Sequence, residues 1–424
     1  MIRVACDVSF AAPLPGRQEV VTGVGRVIKE LLLRLQQIPD LEVKAVGSFG
    51  GDWNPVSTSI QAQRWAARLT PRASSMPAYR SRLGLSRLLG PLQVGMESRR
   101  HSRSLGLRLL RRLLRLDAAS GLNGGGLDVF HATFLPPPDD LPSALPRVVF
   151  IHDVYPARFP QHCGASACGT LDTIIRRLDA SRDYVICNSE FTQRDFCELA
   201  QFPAERVTVA PLAAAAAFSP VLDPARIESL REKYQLGTAP YLLSVANPQP
   251  RKNLITAIHA MRILAEALPD WDGRLVLAGN AKAGWGSEEI DALLESTPKL
   301  AARIQRIGPA DEADLPALYS GALAFVFPST YEGFGLPVLE AMGCGVPVVC
   351  SNTTSLPEVA GSAALMVDPL DAAGFAEALQ RLIQQPELRA RLATAGRERA
   401  ASFTWSRTAE KVAEAFRLAA RPSR

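Results

Sequence analysis

The sequence predicts an α/β protein of two domains, each built on a parallel sheet. Three observations carry this. The chain has 424 residues, 47% of them hydrophobic, which allows a large core and exceeds one comfortable domain. Short apolar runs alternate with glycine-rich or polar turns and with helical periodicities, the mark of strand–helix–strand units. Residues 325–349 compress one such unit into an apolar strand, a glycine-spaced loop and a helix start.

Taken in order, residues 2–8 read as a first strand. Thr22 can cap a helix that runs to about Leu35, and Gly23 and Gly25 open its turn to a ligand or to the opposite domain. The turn falls short of a dinucleotide fingerprint because Ile28 stands at the third glycine position, which argues against a nicotinamide enzyme. Residues 41–46 form a second strand.

The segment 61–116 then carries 13 arginines, no lysine and one acid, Glu97, so the basic character of the chain (net charge +5) is concentrated there. Within it Arg108, Arg111, Arg112 and Arg115 fall on one helical face, and Leu107, Leu110, Leu113 and Leu114 on the other. Two readings stand: a surface helix packed on its own domain, or an interfacial helix on an anionic membrane. In the second, each basic side chain contributes about 1 kcal/mol of attraction. Nucleic acid is not expected, since only Trp65 and Tyr79 offer stacking surfaces there.

Asp128-Val-Phe-His131 and residues 148–153 read as two buried strands, each ending in a histidine. Parallel strands aim their C-terminal ends at a ligand crevice, which makes His131, His152 and Asp153 candidates for chemistry. Residues 184–189 form another strand, with Ser189 capping the next helix. Residues 206–210 close the first domain, and 211–231 read as the connection. The expected domains are 1–220, 221–402 and a final helix over 403–424.

The second domain restarts with a strand at 241–246 and the turn Asn247-Pro-Gln-Pro-Arg-Lys-Asn253. Arg251 and Lys252 stand at a helix start, where cations are unfavourable unless an anion offsets them. A guanidinium fork and a mobile ammonium suit the oxygens of a diphosphate. Asp270-Trp-Asp272 resembles a metal motif but precedes its strand, the wrong end for a ligand crevice. The strand ending at Phe327 is stopped by Pro328. The loop Glu332-Gly333-Phe334-Gly335 and a helix begun by Leu336 and Pro337 then make an anion site from amides and the helix dipole. Glu332 in the loop and Glu340, expected in the first helical turn, flank that positive point. A bare phosphate would be repelled by them. A nucleotide-sugar, anionic in the middle and rich in hydroxyls at both ends, fits.

The run Pro328-Ser-x-x-Glu332-Gly-Phe-Gly-Leu-Pro-x-x-Glu340-Ala-Met-x-x-Gly345-x-Pro-Val348 resembles the Glu-x7-Glu signature of retaining glycosyltransferase family 4. The resemblance implies the GT-B fold: two Rossmann-like domains, an N-terminal one for the acceptor, a C-terminal one for the donor, and a last helix crossing back. It also implies sugar transfer from a nucleoside diphosphate with retention, the departing phosphate acting as base. Arg251, Lys252, Gly333, Phe334, Gly335, Leu336 and Glu340 would then hold the donor, with Gly23 and Gly25 near its phosphates. Gly308 marks the turn for the nucleobase. Glu332 would position the sugar hydroxyls and Glu340 the ribose. The family's first-domain pattern His-x-His is His131-Ala-Thr133 here, so His152 with Asp153 becomes the pair expected nearest the reacting sugar. The Pro-Arg-Lys-Asn turn resembles the mannosyl- and rhamnosyltransferase branch, implying a GDP- or dTDP-linked donor and a glycan or lipid-linked acceptor of polysaccharide assembly. The alternatives are a sugar-nucleotide epimerase on the same frame and a silent scaffold.

Neither a cofactor nor a metal is expected. The seven cysteines are odd in number and scattered, and Cys163, Cys168 and His162 lack a second ligand pair. No run is long and apolar enough for a spanning helix and no secretory leader is evident, so the expectation is a cytoplasmic protein, peripheral on the inner face of the membrane.

Overall fold

The computed structural model describes residues 1–8, 23–46, 126–138, 141–280 and 287–421. Thr22 and the arginine-rich segment 61–116, with the two readings of its amphipathic stretch, lie outside the described residues.

The first sheet holds six parallel strands: β1 (Ile2–Asp7), β2 (Leu41–Val46), β3 (Val129–Ala132), β4 (Arg147–Ile151), β5 (Tyr184–Cys187) and β6 (Val207–Val209). Their order is β2-β1-β3-β4-β5-β6. Every residue of β3 and β4 is buried, as a parallel sheet covered on both faces requires.

The second sheet holds β7 (Tyr241–Val245), β8 (Arg274–Ala278), β9 (Ile304–Gly308), β10 (Ala324–Phe327), β11 (Val348–Ser351) and β12 (Ala364–Val367), in the order β12-β11-β10-β7-β8-β9 and again parallel. Strand order reverses between β1 and β3 in one sheet and between β7 and β10 in the other. Crevices outside such reversals are where open α/β sheets bind ligands.

Two features hold the halves together. The expected connection is partly helical: Pro224–Lys233 is a helix whose N-cap, Asp223, accepts from the amide of Ala225. The last helix, Trp405–Ala419, is capped by Thr404 and buries Trp405, Thr408, Ala409, Val412, Ala413 and Phe416 on one face. It returns to the first domain, where Thr408 donates to the Pro211 carbonyl (2.5 Å) and Arg417 reaches Asp40 (2.8 Å).

Candidate active site

The loops leaving β7 and β10 meet at the second reversal. Pro250–Lys252 forms a 3-10 turn, and Asn253 follows in the left-handed region (φ 51°), a conformation asparagine tolerates. Its side-chain amide donates to the Pro328 and Pro369 carbonyls (3.0 and 2.6 Å), and the Thr330 amide donates to the Arg251 carbonyl (2.8 Å). These bonds lock one loop onto the other. As a result Lys252 Nζ lies 2.5 Å from Glu332 Oε1, and Arg251 Nη1 lies 3.6 Å from both Glu332 Oε2 and Asp153 Oδ2. The Arg251 guanidinium also covers the Tyr155 ring at 5.3 Å.

Glu332 is buried. Burial alone would push its carboxyl up, but Lys252 and Arg251 outweigh that and hold it below the usual carboxylate range. Arg251 loses water too, yet Glu332 and Asp153 keep its charge more than secure. The anion that the two cations require is thus supplied by Glu332 itself. A diphosphate arriving here would meet cations already desolvated and oriented.

The loop geometry explains the glycines. A Cβ on Gly333 would stand 2.0 Å from the His152 carbonyl oxygen, and one on Gly335 (φ 108°) 2.6 Å from Leu356 Cδ2. The Ser355 hydroxyl is within bonding distance of the Glu332 and Phe334 carbonyls (2.9 and 2.8 Å), which fixes the loop. Phe334 is buried edge-on to Phe403 at 5.9 Å. Leu336 opens the helix Leu336–Gly343, whose first amides have no intrahelical acceptor.

Glu340 is not in the first turn of that helix. It is the fifth residue, buried and one turn in, because the helix starts at Leu336. Its partner comes from the opposite domain: Arg26 Nη1 is 2.6 Å from Oε1, while the Tyr319 hydroxyl donates to Oε2 at 3.2 Å. Burial still wins, and the Glu340 carboxyl is pushed up despite the arginine. Arg26 follows Gly23 and Gly25 in the helix Gly23–Leu35. Gly25 is buried, whereas a Cβ on Gly23 would meet nothing within 4 Å, so no close approach requires that glycine.

From the first domain, His152 and Asp153 lie just past the end of β4. His152 stacks on Phe150 (4.5 Å), its Nε2 is 2.9 Å from the Thr133 carbonyl, and burial lowers its pKa. Asp153 Oδ1 accepts from the Tyr155 amide (3.1 Å) while Oδ2 faces Arg251. His131 is a correction to the sequence reading. It is the third of four residues in β3 rather than the last, and its ring lies in the core against Phe416 (5.1 Å) with Nδ1 on the Val148 carbonyl. It is fully buried, its pKa falls to about 4 through desolvation, and the structure does not bring it to the cluster.

Cross-cleft contacts complete the site. The Gly333 carbonyl accepts from Ser189 (2.7 Å) and Thr192 (3.0 Å), and Ser189 also caps the helix Glu190–Ala200 as its position predicts. The Glu358 carboxylate accepts from the Glu190 and Phe191 amides (2.8 and 2.6 Å) at the positive end of that helix. The Tyr331 hydroxyl donates to Asp195 at 2.5 Å. Sequence reasoning missed Arg26, Tyr319, Ser355 and Glu358. A signal existed for Arg26, a cation in a helix's first turn, the same anomaly that singled out Arg251 and Lys252. Among the described residues no group of three or more His, Cys, Asp or Glu is placed to hold a metal ion, and no helix is long and apolar enough to cross a membrane.

Comparison with known proteins extends this picture. Residues 226–399 match the family model "Glycosyl transferases group 1". The O-antigen chain mannosyltransferase B of Escherichia coli is 32% identical over 279 residues, spanning 66% of this chain and 72% of that protein. Among solved structures, WaaG, a glycosyltransferase involved in lipopolysaccharide biosynthesis, superposes with a TM-score of 0.62 at 17% identity, covering 97% of this chain and 99% of WaaG. Anabaena HepE, solved with UDP and glucose, gives 0.60 at 18% identity, with 98% of each chain covered. The two six-stranded parallel sheets are therefore the two Rossmann-like halves of a GT-B fold, and the chain belongs to the group 1 glycosyltransferases, in their mannosyltransferase-like branch.

Proposed function

We propose that this glycosyltransferase moves a hexose from a nucleoside diphosphate donor to a glycan or lipid-linked acceptor of polysaccharide assembly, with retention at the anomeric carbon. The observation that carries the reading is the convergence of Arg251 and Lys252 on Glu332 at the β7/β10 reversal. Departure of the nucleotide requires that negative charge gathering on the β-phosphate be stabilised. Two partly buried cations and the head of the Leu336–Gly343 helix meet that need from the chain's own groups, so no metal is required in this reading. Glu332 would exchange part of its ion pairing for the hydroxyls of the sugar, and Glu340 would take the ribose. Asp153, held by Arg251 and the Tyr155 amide, would face the sugar from the first domain with His152 beside it. The departing phosphate oxygen would accept the acceptor's proton on the same face.

The mannosyltransferase relative and its O-antigen role support GDP-mannose as the donor and a growing surface polysaccharide as the acceptor; a dTDP-linked donor is the competitor. A thermal-shift screen over GDP, UDP, dTDP and ADP, followed by their sugars, tests the donor. A ligand at 100 times its dissociation constant stabilises by about 2.7 kcal/mol, so the right base stands out. GDP and GDP-mannose should give the largest shifts, and transfer to an acceptor should yield an α-linked product. Silence towards all four nucleotides would sink the reading, and conversion of the donor without any acceptor would assign an epimerase instead.

A further inference from the structure

Arg26 holds a place in the cleft that the reading above leaves unused. Its helix, Gly23–Leu35, buries Val27, Ile28, Leu31, Leu32 and Leu35 and packs against the returning helix Trp405–Ala419. The base of the side chain is therefore anchored in the first domain. The guanidinium crosses to the second domain, 2.6 Å from Glu340 and 3.4 Å from Glu312, and lies 5.5 Å over the ring of Phe218 on the connecting segment. One side chain thus touches both domains and the link between them.

Glu340 has about four acceptor positions on its two oxygens. Arg26 takes one and Tyr319 another. Two remain, the number that the vicinal hydroxyls of a ribose would use. Arg26 need not leave for a donor to bind. By neutralising the carboxylate and fixing its plane, it keeps those two positions free of protons and correctly aimed.

We infer that Arg26 is a positioning residue for the donor: it holds Glu340 from across the cleft, so that ribose recognition is complete only when the domains are closed. This rests on the reading in which Glu340 binds the ribose. It concerns a first-domain residue that the Glu-x7-Glu signature does not include. Among the described residues, the groups facing Glu340 are Arg26, Glu312, Tyr319 and Cys344. Arg26 is the one cation in that set, and its loss would let burial protonate the carboxyl at a higher pH.

The test compares GDP with 2′,3′-dideoxy-GDP by calorimetry, with the UDP and ADP pairs alongside, on wild type, Arg26→Ala, Arg26→Lys and Glu340→Gln. Wild type should prefer the ribonucleotide. Arg26→Ala should weaken it about tenfold or more, as expected for losing a hydrogen bond to a charged group, and leave the dideoxynucleotide unchanged. In the same variant the acidic limb of kcat/KM for the donor should move to higher pH. Arg26→Lys, which keeps the charge and guards against a folding defect, should recover part of both effects. Equal losses for both nucleotides, or no loss with only a lower melting temperature, would overturn the inference and leave Arg26 a structural ion pair. If Glu340→Gln keeps the wild-type preference for the ribonucleotide, the donor reading fails first, and the two failures are told apart.

Discussion

Each sheet reverses its strand order once, and the two reversals are finished with opposite chemistry. Between β7 and β10 the strand ends release loops that set Arg251, Lys252 and Glu332 side by side. Between β1 and β3 the corresponding contact is neutral: the Thr133 hydroxyl donates to the Asp7 carbonyl at 2.5 Å. The first is an ion cluster able to exchange partners with an anionic ligand, and the second, among the described residues, is a neutral hydrogen-bonded pair. The first-domain carboxylate that meets the ion cluster stands one strand further on, just past the end of β4, where Asp153 faces Arg251 with His152 beside it in the chain. Topology provides the crevice, but the residues at its rim decide whether it does chemistry.

The hardest test of this contrast removes the ion cluster's centre. Glu332→Gln should reduce turnover by about 10²-fold or more, the scale of losing a charged group aimed at the reacting atoms. Leaving the partly buried Lys252 and Arg251 without Glu332 should also destabilise the fold, by at most about 3 kcal/mol. Steady-state transfer and urea melts read the two effects separately. Full turnover in this variant would remove the cluster from the mechanism.

A second test acts on the seam between the regions. Gly333→Ala places a methyl 2.0 Å from the His152 carbonyl oxygen, and overpacking of that kind costs about 1–3 kcal/mol. The chain can relieve it by parting the domains. Turnover should therefore fall about tenfold while nucleotide affinity changes less, and small-angle scattering should show a larger radius. An unchanged radius with unchanged turnover would mean that the Gly333–His152 contact is not part of the working form.

The two carboxylates of the signature provide a subtler test, because they respond to pH with opposite sign. Glu332 is held below its ordinary value of 4.5 in the folded protein, so its contribution is present above that value and is lost as pH falls through the folded pKa. Glu340 is raised, so its contribution is complete below 4.5 and is lost as pH rises through its folded pKa. Relative to wild type, Glu332→Gln should grow less stable on going from acid to neutral pH and Glu340→Gln more stable. A tenfold difference in proton affinity between the folded and unfolded chain is worth about 1.4 kcal/mol, which sets the scale of both changes. Parallel slopes in denaturant titrations at several pH values would show that the two ends share one environment after all.

What the sequence made legible follows the same divide. The β10 strand, the glycine loop and the Arg251–Lys252 turn are local: each depends on neighbours a few residues away, so pattern and dihedral preference identify them. Glu340 was legible as a residue but not in its setting, because its partner Arg26 lies 314 positions away. His131 was misread for a smaller reason. Strand ends blur by a residue or two, and β3 runs one residue past His131, which leaves its ring in the core. The helix Pro224–Lys233 was hidden by the prolines around it, although Pro224 at a helix start is compatible with helix.

The smallest expected effect belongs to Thr133, which stands where the family pattern has its second histidine. If its hydroxyl had inherited chemistry, removing it would cripple transfer. Its geometry says otherwise: it is buried and its proton is committed to the Asp7 carbonyl, while only its own carbonyl reaches the ring of His152. Thr133→Val keeps the shape and the His152 contact and deletes the hydroxyl. It should cost about 1 kcal/mol of stability, the net worth of one neutral hydrogen bond. Turnover should stay within about threefold of wild type, since a barrier change under about 1 kcal/mol is all that a slight shift at β1 would transmit. A hundredfold loss of transfer with intact nucleotide binding would move the reactive centre of the first domain from the end of β4 to the β1/β3 reversal, and the two crevices would then be alike in function despite their different finish.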